Sequence, residues 1–159
     1  MVDDCSTDDT TDVVGALAKD DPRIRYVRLE TNSGAAMARN RAMELAQGRY
    51  MAFLDSDDLW HPDKLRRQID FMTSRDVAMS CTAYAQIDEQ GVPTGRIVRS
   101  PARICYNRLL PDCPVGNSTV MYDVARLGKF EVPNIRKRND DALKLSSNEA
   151  AHPPLPEAA

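Results

Sequence analysis

Long apolar runs are what this sequence most clearly lacks. No stretch approaches the ~18 consecutive apolar residues that a membrane-spanning helix requires, and the opening Met1-Val2-Asp3-Asp4 has neither the basic nor the apolar run of a signal peptide. The expected compartment is the cytoplasm. Histidine is scarce, with only His61 and His152, and the four cysteines, Cys5, Cys81, Cys105 and Cys113, form no Cys-x-x-Cys pair. Neither a zinc site nor a disulfide framework is expected, and the cysteines read as reduced, mostly buried thiols. There is no excess of positive charge either: 21 Lys and Arg stand against 24 Asp and Glu, a formal charge of -3. That balance argues against a nucleic-acid binder held by phosphate contacts and leaves nucleotide-sized ligands open. What remains is ordinary globular material, 42% hydrophobic and 28% charged over 159 residues, enough for one soluble core and too little for a second complete one.

Met1 to Thr10 is turn and helix-cap chemistry, followed by the helical spacing of Val13, Val14 and Leu17 and ended near Pro22. Ile24 to Leu29 alternates apolar with basic residues, as a half-buried strand does. Asn32-Ser33-Gly34 makes a turn, and Ala35, Ala38, Ala42 and Leu45 then place a stripe of mostly small residues on one helical face up to Gly48. Tyr50 to Leu54 is a short continuous apolar run, which suits a strand buried on both faces. Pro62 and Asp63 open a helix carrying Leu65, Ile69 and Met72. Val77 to Ile87 and Gly95 to Val98 read as strands joined through Glu89-Gln90-Gly91, Asn117 to Tyr122 as a further strand, and Val124 to Leu127 as a short helix closed by Gly128. A short helix is expected from Asn139 to Leu145. The Pro-rich stretch 146–159 is expected to be a disordered tail, leaving 1–145 as the folded domain. The alternation of strands and helices through Arg75 predicts an α/β layer fold whose largely parallel sheet is made mixed by the later hairpin. Ligands of such sheets bind beyond the carboxyl ends of the strands, where both acidic clusters of this sequence fall.

Asp55 and Asp57 are one residue apart on a loop, with Asp58 next. Like charges that close disfavour mutual ionisation in a water-poor cleft unless a cation compensates. All-oxygen ligands of this kind suit Mg²⁺ or Mn²⁺ bridging to a substrate diphosphate. A plainer reading is that Ser56, Asp57 and Asp58 cap the helix before Pro62. An EF-hand does not fit, because Trp60 stands where its obligatory Gly would lie and Arg66 where its bidentate Glu would lie. An Asp-nucleophile phosphatase, with Asp55 attacking and Asp57 as acid/base, is an alternative from another class. It lacks the usual Gly-Thr after the pair and leaves Asp3-Asp4 unexplained.

Three segments in order, Val2-Asp3-Asp4-Cys5-Ser6-Thr7-Asp8, Asn32-Ser33-Gly34 with Ala38-Arg39-Asn40, and Met51 through Asp55-Ser56-Asp57-Asp58 to Trp60, resemble the family 2 glycosyltransferases of the GT-A fold. The resemblance implies a Rossmann-like mixed sheet with flanking helices that uses a nucleotide-diphospho-sugar, with a UDP-sugar as first guess. By that likeness Asp3 and Asp4 read the nucleotide base, Asp4 accepting from the base N3–H. Asp55 holds the ribose, Asp55 and Asp57 hold Mn²⁺ or Mg²⁺, and Arg39 faces the diphosphate; as residues alone, Arg39 reads equally as a solvated helix-face cation. Cys113 to Tyr122 matches the acceptor-side strand, and Asn134 to Asp140 the segment that presents the catalytic base, so the resemblance makes Asp140 the base. Without it, Asp140 and Asp141 read as first-turn contacts to a helix dipole. The implied reaction is direct, inverting transfer to a saccharide or lipid-linked precursor of cell-surface polysaccharide or lipopolysaccharide. The implied setting is the inner face of the membrane, with peripheral attachment through the acceptor and no nucleic-acid partner.

Two departures from the family pattern set further expectations. The strand and helix that precede the Asp-Asp segment in the family have no counterpart ahead of Met1. Asp141 and Lys144 stand where aromatic residues follow the base. An incomplete domain is therefore expected, and an inactive nucleotide-binding remnant is the alternative to an active transferase.

Overall fold

The computed structural model describes residues 1–100 and 115–132. These fall into two compact units, one formed by 1–47 with 129–132 and one by 48–100 with 115–128.

In the first unit, strand β1 (Val2–Asp3) pairs in parallel with β2 (Val27–Arg28), Val2 opposite Val27. Helix α1 (Thr10–Asp20) connects them, as the crossover between parallel strands requires. Only Val14 of its expected apolar face is buried; Val13 and Leu17 are about half exposed. Helix α2 (Ala35–Leu45) packs on β1. Its buried face is not the predicted stripe of Ala35, Ala38, Ala42 and Leu45. Ala36 and Met43 are buried instead, with Asn40 between them at helical spacing. One residue of offset rotates a helix by about 100°, and with Met37, Met43 and Leu45 on different faces the helix offers more than one apolar stripe, of which the structure buries the one carrying Met43. Gly34, just before this helix, has φ +90°, a conformation that a β-carbon disfavours.

The second unit is built on a three-stranded sheet in the order β3 (Tyr50–Ala52), β7 (Val120–Asp123), β4 (Met79–Cys81). Both outer strands run antiparallel to β7. The expectation of a strand buried on both faces at Tyr50 to Leu54 is corrected here: Met51 is buried, but Leu54 is 50% exposed. β3 is an edge of this sheet, and all four residues of the central β7 are buried instead. Residues 117–119, expected as strand, form a 3₁₀ turn (Asn117–Thr119) that delivers the chain into β7. Helix α3 (Lys64–Arg75) is present where expected, but Asp63 is its N-cap, so Pro62 precedes the helix and does not occupy its first turn; the helix buries Met72 and Gln68. Buried Gln68 is satisfied by donating to Ser80 O, Ser80 Oγ and Thr119 O at 3.0–3.1 Å and accepting from Lys64 Nζ at 3.0 Å. That network ties α3 to β4 and to the 3₁₀ turn. The expected hairpin is present as β5 (Tyr84–Ile87) and β6 (Pro93–Val98), with Asp88 accepting from Gln90 N and Val92 N in the turn. Helix α4 (Val124–Leu127) is capped by Asp123, whose Oδ1 accepts from Ala125 N at 3.0 Å, and ends at Gly128. Asp123 is buried, and Arg49 donates to its other oxygen through Nε and Nη2 at 3.1 and 2.8 Å. A buried carboxylate needs such donors.

Candidate functional site

In the first unit the two adjacent carboxylates at the end of β1 have different surroundings. Asp3 is 3% exposed and faces inward. It accepts from Ser6 N at 2.9 Å, from the Ser6 hydroxyl and from Tyr26 Oη at 2.6 Å, with Arg28 Nε at 3.8 Å. The Ser6 and Tyr26 hydrogen bonds, with Arg28 beside them, hold its carboxyl below the usual range, and the same contact raises the Tyr26 phenol. Asp4, half-buried, accepts Ser33 N on one oxygen at 2.7 Å and Gly34 N on the other at 2.8 Å. Asn32 Nδ2 donates to Asp4 O at 3.0 Å. The Asp-Asp and Asn-Ser-Gly segments, some 30 residues apart, thus form one structure in which each Asp4 oxygen keeps a lone pair for a further donor. Cys5, the next residue, sits at φ +67°, in the left-handed region where glycine is favoured. Arg39 is half-buried on α2. Its neighbour Asn40 donates to Val132 O at 2.9 Å and accepts from Val132 N at 2.7 Å, binding the segment after Lys129 to this unit.

In the second unit Asp55 lies just beyond β3 and is half-buried, while Asp57 and Asp58 are exposed. The 3₁₀ turn fixes Asp55 from two sides: its N–H donates to Ser118 Oγ at 3.0 Å, and its Oδ1 accepts from Asn117 Nδ2 at 3.0 Å. Trp60 Nε1 donates to Ser118 O at 2.8 Å, so the loop is pinned at both ends to one turn. Asn117 Oδ1 is buried and has no hydrogen-bond partner among the described residues. Sequence reasoning placed Asn117 and Ser118 on an acceptor-side strand without giving them this role. The available signal was a polar Asn-Ser-Thr triplet directly before the apolar residues of β7.

No group of three or more His, Cys, Asp or Glu side chains able to hold a metal occurs among the described residues. That is compatible with Mg²⁺ or Mn²⁺, which usually keep several waters and take one or two carboxylates together with substrate phosphates. Exposed Asp57 and half-buried Asp55, two residues apart, offer such a partial, all-oxygen donor set. Asp140, and with it the expected helix and tail, lies outside the described residues. No helix of the described residues is long and apolar enough to cross a membrane.

Comparison with known proteins agrees with this geometry. Over 146 residues the chain is 48% identical to TuaG of Bacillus subtilis (strain 168), assigned as a teichuronic acid biosynthesis glycosyltransferase, covering 92% of this chain and 58% of TuaG. It is 40% identical over 146 residues to WfaP of Escherichia coli, a UDP-Glc:alpha-D-GlcNAc-diphosphoundecaprenol beta-1,3-glucosyltransferase, covering 92% of this chain and 56% of WfaP. The chain thus spans little more than half the length of these relatives. Among solved structures, residues 1–349 of TarS from S. aureus superpose with a TM-score of 0.72 at 24% identity, covering 95% of this chain and 45% of TarS. The same protein in complex with UDP gives 0.69 at 25%, covering 94% and 44%. The fold is the mixed α/β GT-A type, present in part. With the family model for glycosyl transferase family 2 matching residues 1–133, the chain belongs to that family.

Proposed function

We propose that the protein is the donor-binding part of a metal-dependent, inverting glycosyltransferase that moves a sugar from a UDP-sugar to a saccharide or lipid-linked precursor of a cell-surface polymer. The observation that carries this reading is the fixing of Asp55 by Asn117 and Ser118, which leaves Asp57 exposed on the same loop. Held in this way, Asp55 is pre-organised to meet a donor without spending its rotational freedom at binding. Support for the donor class comes from the UDP complex of TarS, and for the acceptor class from the names of TuaG and WfaP.

In this proposal Asp4 accepts from the N3–H of the base, with Asp3 behind it as the group that anchors the Asp-Asp segment. Asp55 takes the ribose, Arg39 faces the diphosphate, and Asp55 with Asp57 holds Mn²⁺ or Mg²⁺. Bound there, that ion would supply Lewis-acid neutralisation of the charge on the leaving diphosphate. Asp140 accepts the proton of the acceptor hydroxyl as that oxygen bonds to C1 of the sugar; the C1–O bond to the diphosphate breaks, UDP leaves, and the anomeric centre inverts. The reaction is placed at the inner face of the membrane, where a lipid-linked acceptor presents its sugar.

The test is transfer from radiolabelled UDP-glucose to a synthetic GlcNAc-diphospho-lipid. Asp140→Asn should lower the rate by about 10²–10⁴-fold while leaving UDP affinity nearly unchanged. Asp141→Asn, the control, should leave both near wild type. An Asp140→Asn protein with full turnover would remove Asp140 from the role, and a product that retains the donor's anomeric configuration would remove the inverting mechanism.

A further inference from the structure

Beside the acidic loop, within the second unit, lies a cavity of about 690 Å³, a volume in the usual range for small-molecule sites. Trp60, Lys64, Arg67, Phe71, Tyr84 and Ile87 contribute to its lining. Two features set it apart from the rest of α3. Lys64 and Arg67 line it, and neither makes an ion pair among the described residues, whereas Arg66, between them in sequence, pairs with Asp63 at 2.9 Å. Lys64 Nζ instead bonds the neutral Gln68 Oε1 at 3.0 Å and lies 4.3 Å from the centroid of the Trp60 ring. Its ammonium is half-buried without a counter-charge, which lowers its pKa. The lining carboxylate, Asp58, is exposed and is outnumbered by the two cations. The second feature is apolar: Leu59 is 77% and Phe71 51% exposed, with Tyr84 and Ile87 also left in water. Large apolar side chains gathered around a cavity mark a binding surface more often than a free one.

Cations without a counter-charge among the described residues, together with uncovered hydrocarbon, ask for a ligand that is anionic at one end and apolar at the other. We infer that this cavity receives the diphosphate and first isoprene units of a lipid-linked acceptor, with Lys64 and Arg67 on the diphosphate and Trp60, Phe71, Tyr84 and Ile87 on the hydrocarbon. The inference rests on the glycosyltransferase reading above. Continuity with the acidic loop supports it: Ser118, whose Oγ takes the Asp55 N–H, also lines the cavity, and Asp58 adjoins Asp57. An acceptor anchored here has its diphosphate end next to the loop assigned to the donor.

Trp60 is the chain's single tryptophan, so its emission reports occupancy directly. Titration of the 159-residue chain with farnesyl diphosphate should give a saturable change, while inorganic pyrophosphate and farnesol, each half of the ligand, should bind at least tenfold more weakly. Arg67→Gln, an exposed change, and Lys64→Gln should each weaken farnesyl diphosphate at least tenfold with the far-UV spectrum unchanged. Four results would overturn the inference: no saturable response, pyrophosphate binding as tightly as farnesyl diphosphate, farnesol doing so, or Arg67→Gln behaving as wild type. UDP with Mn²⁺ is followed by thermal shift on the same preparations. Retained UDP stabilisation without farnesyl diphosphate binding defeats the cavity assignment alone. Farnesyl diphosphate binding without UDP stabilisation supports the cavity and defeats the donor reading.

Discussion

Asn117 donates its side-chain amide to the carboxylate of Asp55 at 3.0 Å across 62 residues of sequence. This contact fixes the first carboxylate of the Asp-Ser-Asp loop. The other end of the same amide, Oδ1, is buried with no partner among the described residues, and an unsatisfied buried acceptor costs about 1–3 kcal/mol. Asn117→Ala removes a useful hydrogen bond and a costly orphan together, so its effect on stability should be small. Its effect on function should be larger: UDP affinity in the presence of Mn²⁺ should fall about tenfold, while the melting temperature shifts by no more than about 3 °C. Unchanged affinity would show that Asp55 needs no such support.

Asp123 should carry part of the protein's acid sensitivity. Arg49 holds its carboxyl below the ordinary value, and the Ala125 N–H contributes. A carboxylate with a lowered folded pKa gives stability that is complete above its unfolded value of about 3.9 and is lost as pH falls through the folded value. The melting temperature should therefore decline below about pH 5 and keep falling through pH 3. Asp3 is lowered too, and Asp21, beside Arg23, to about 2, so the acid limb is shared. Asp123→Asn should start from a lower melting temperature and show a flatter limb. An identical limb would show that Asp123 is not linked to acid unfolding.

Cys5 occupies a backbone conformation, φ +67°, that costs a residue with a β-carbon about 1–2 kcal/mol. Glycine relieves that strain at an entropic cost of about 0.5–1 kcal/mol. Cys5→Gly should therefore raise the melting temperature by up to about 4 °C, and the β-branched Cys5→Val should lower it. The reverse order in a thermal scan would mean that Cys5 is held by its Arg28 contact, with Nη2 at 3.9 Å from Sγ, more than it is strained.

Local chemistry made much of this fold legible. Pro62 and Asp63 placed the start of α3, Glu89-Gln90-Gly91 placed the hairpin turn, and the Asp-Ser-Asp segment was located as a loop at a strand end, whereas Val2–Asp3, read as turn chemistry, pairs as β1. Features set by distant partners were not legible. Nothing in the near sequence of Asp3 shows that Tyr26 will bond it, or that Ser6 will turn back onto it, so the different surroundings of Asp3 and Asp4 emerge only in the folded chain. The face of α2 was misread because its alanines and large apolar residues are spread over more than one face, and burial followed Met43. Tyr50 to Leu54 was read as fully buried because apolar content alone does not separate an edge strand from a central one. That distinction was decided by β7 lying between β3 and β4.

The measurement closest to the central claim is UDP binding with and without Mn²⁺, followed by thermal shift on the wild-type chain, Asp57→Ala and Asp4→Ala. A ligand at 100 times its Kd stabilises the native state by about 2.7 kcal/mol, a shift of several degrees for a chain of this size. UDP with Mn²⁺ should raise the melting temperature, Asp57→Ala should lose the Mn²⁺-dependent part, and Asp4→Ala should weaken UDP binding with or without the metal. A folded wild-type protein whose melting curve is unmoved by UDP, GDP and dTDP, or an Asp57→Ala protein that responds to UDP and Mn²⁺ as wild type does, would contradict that claim.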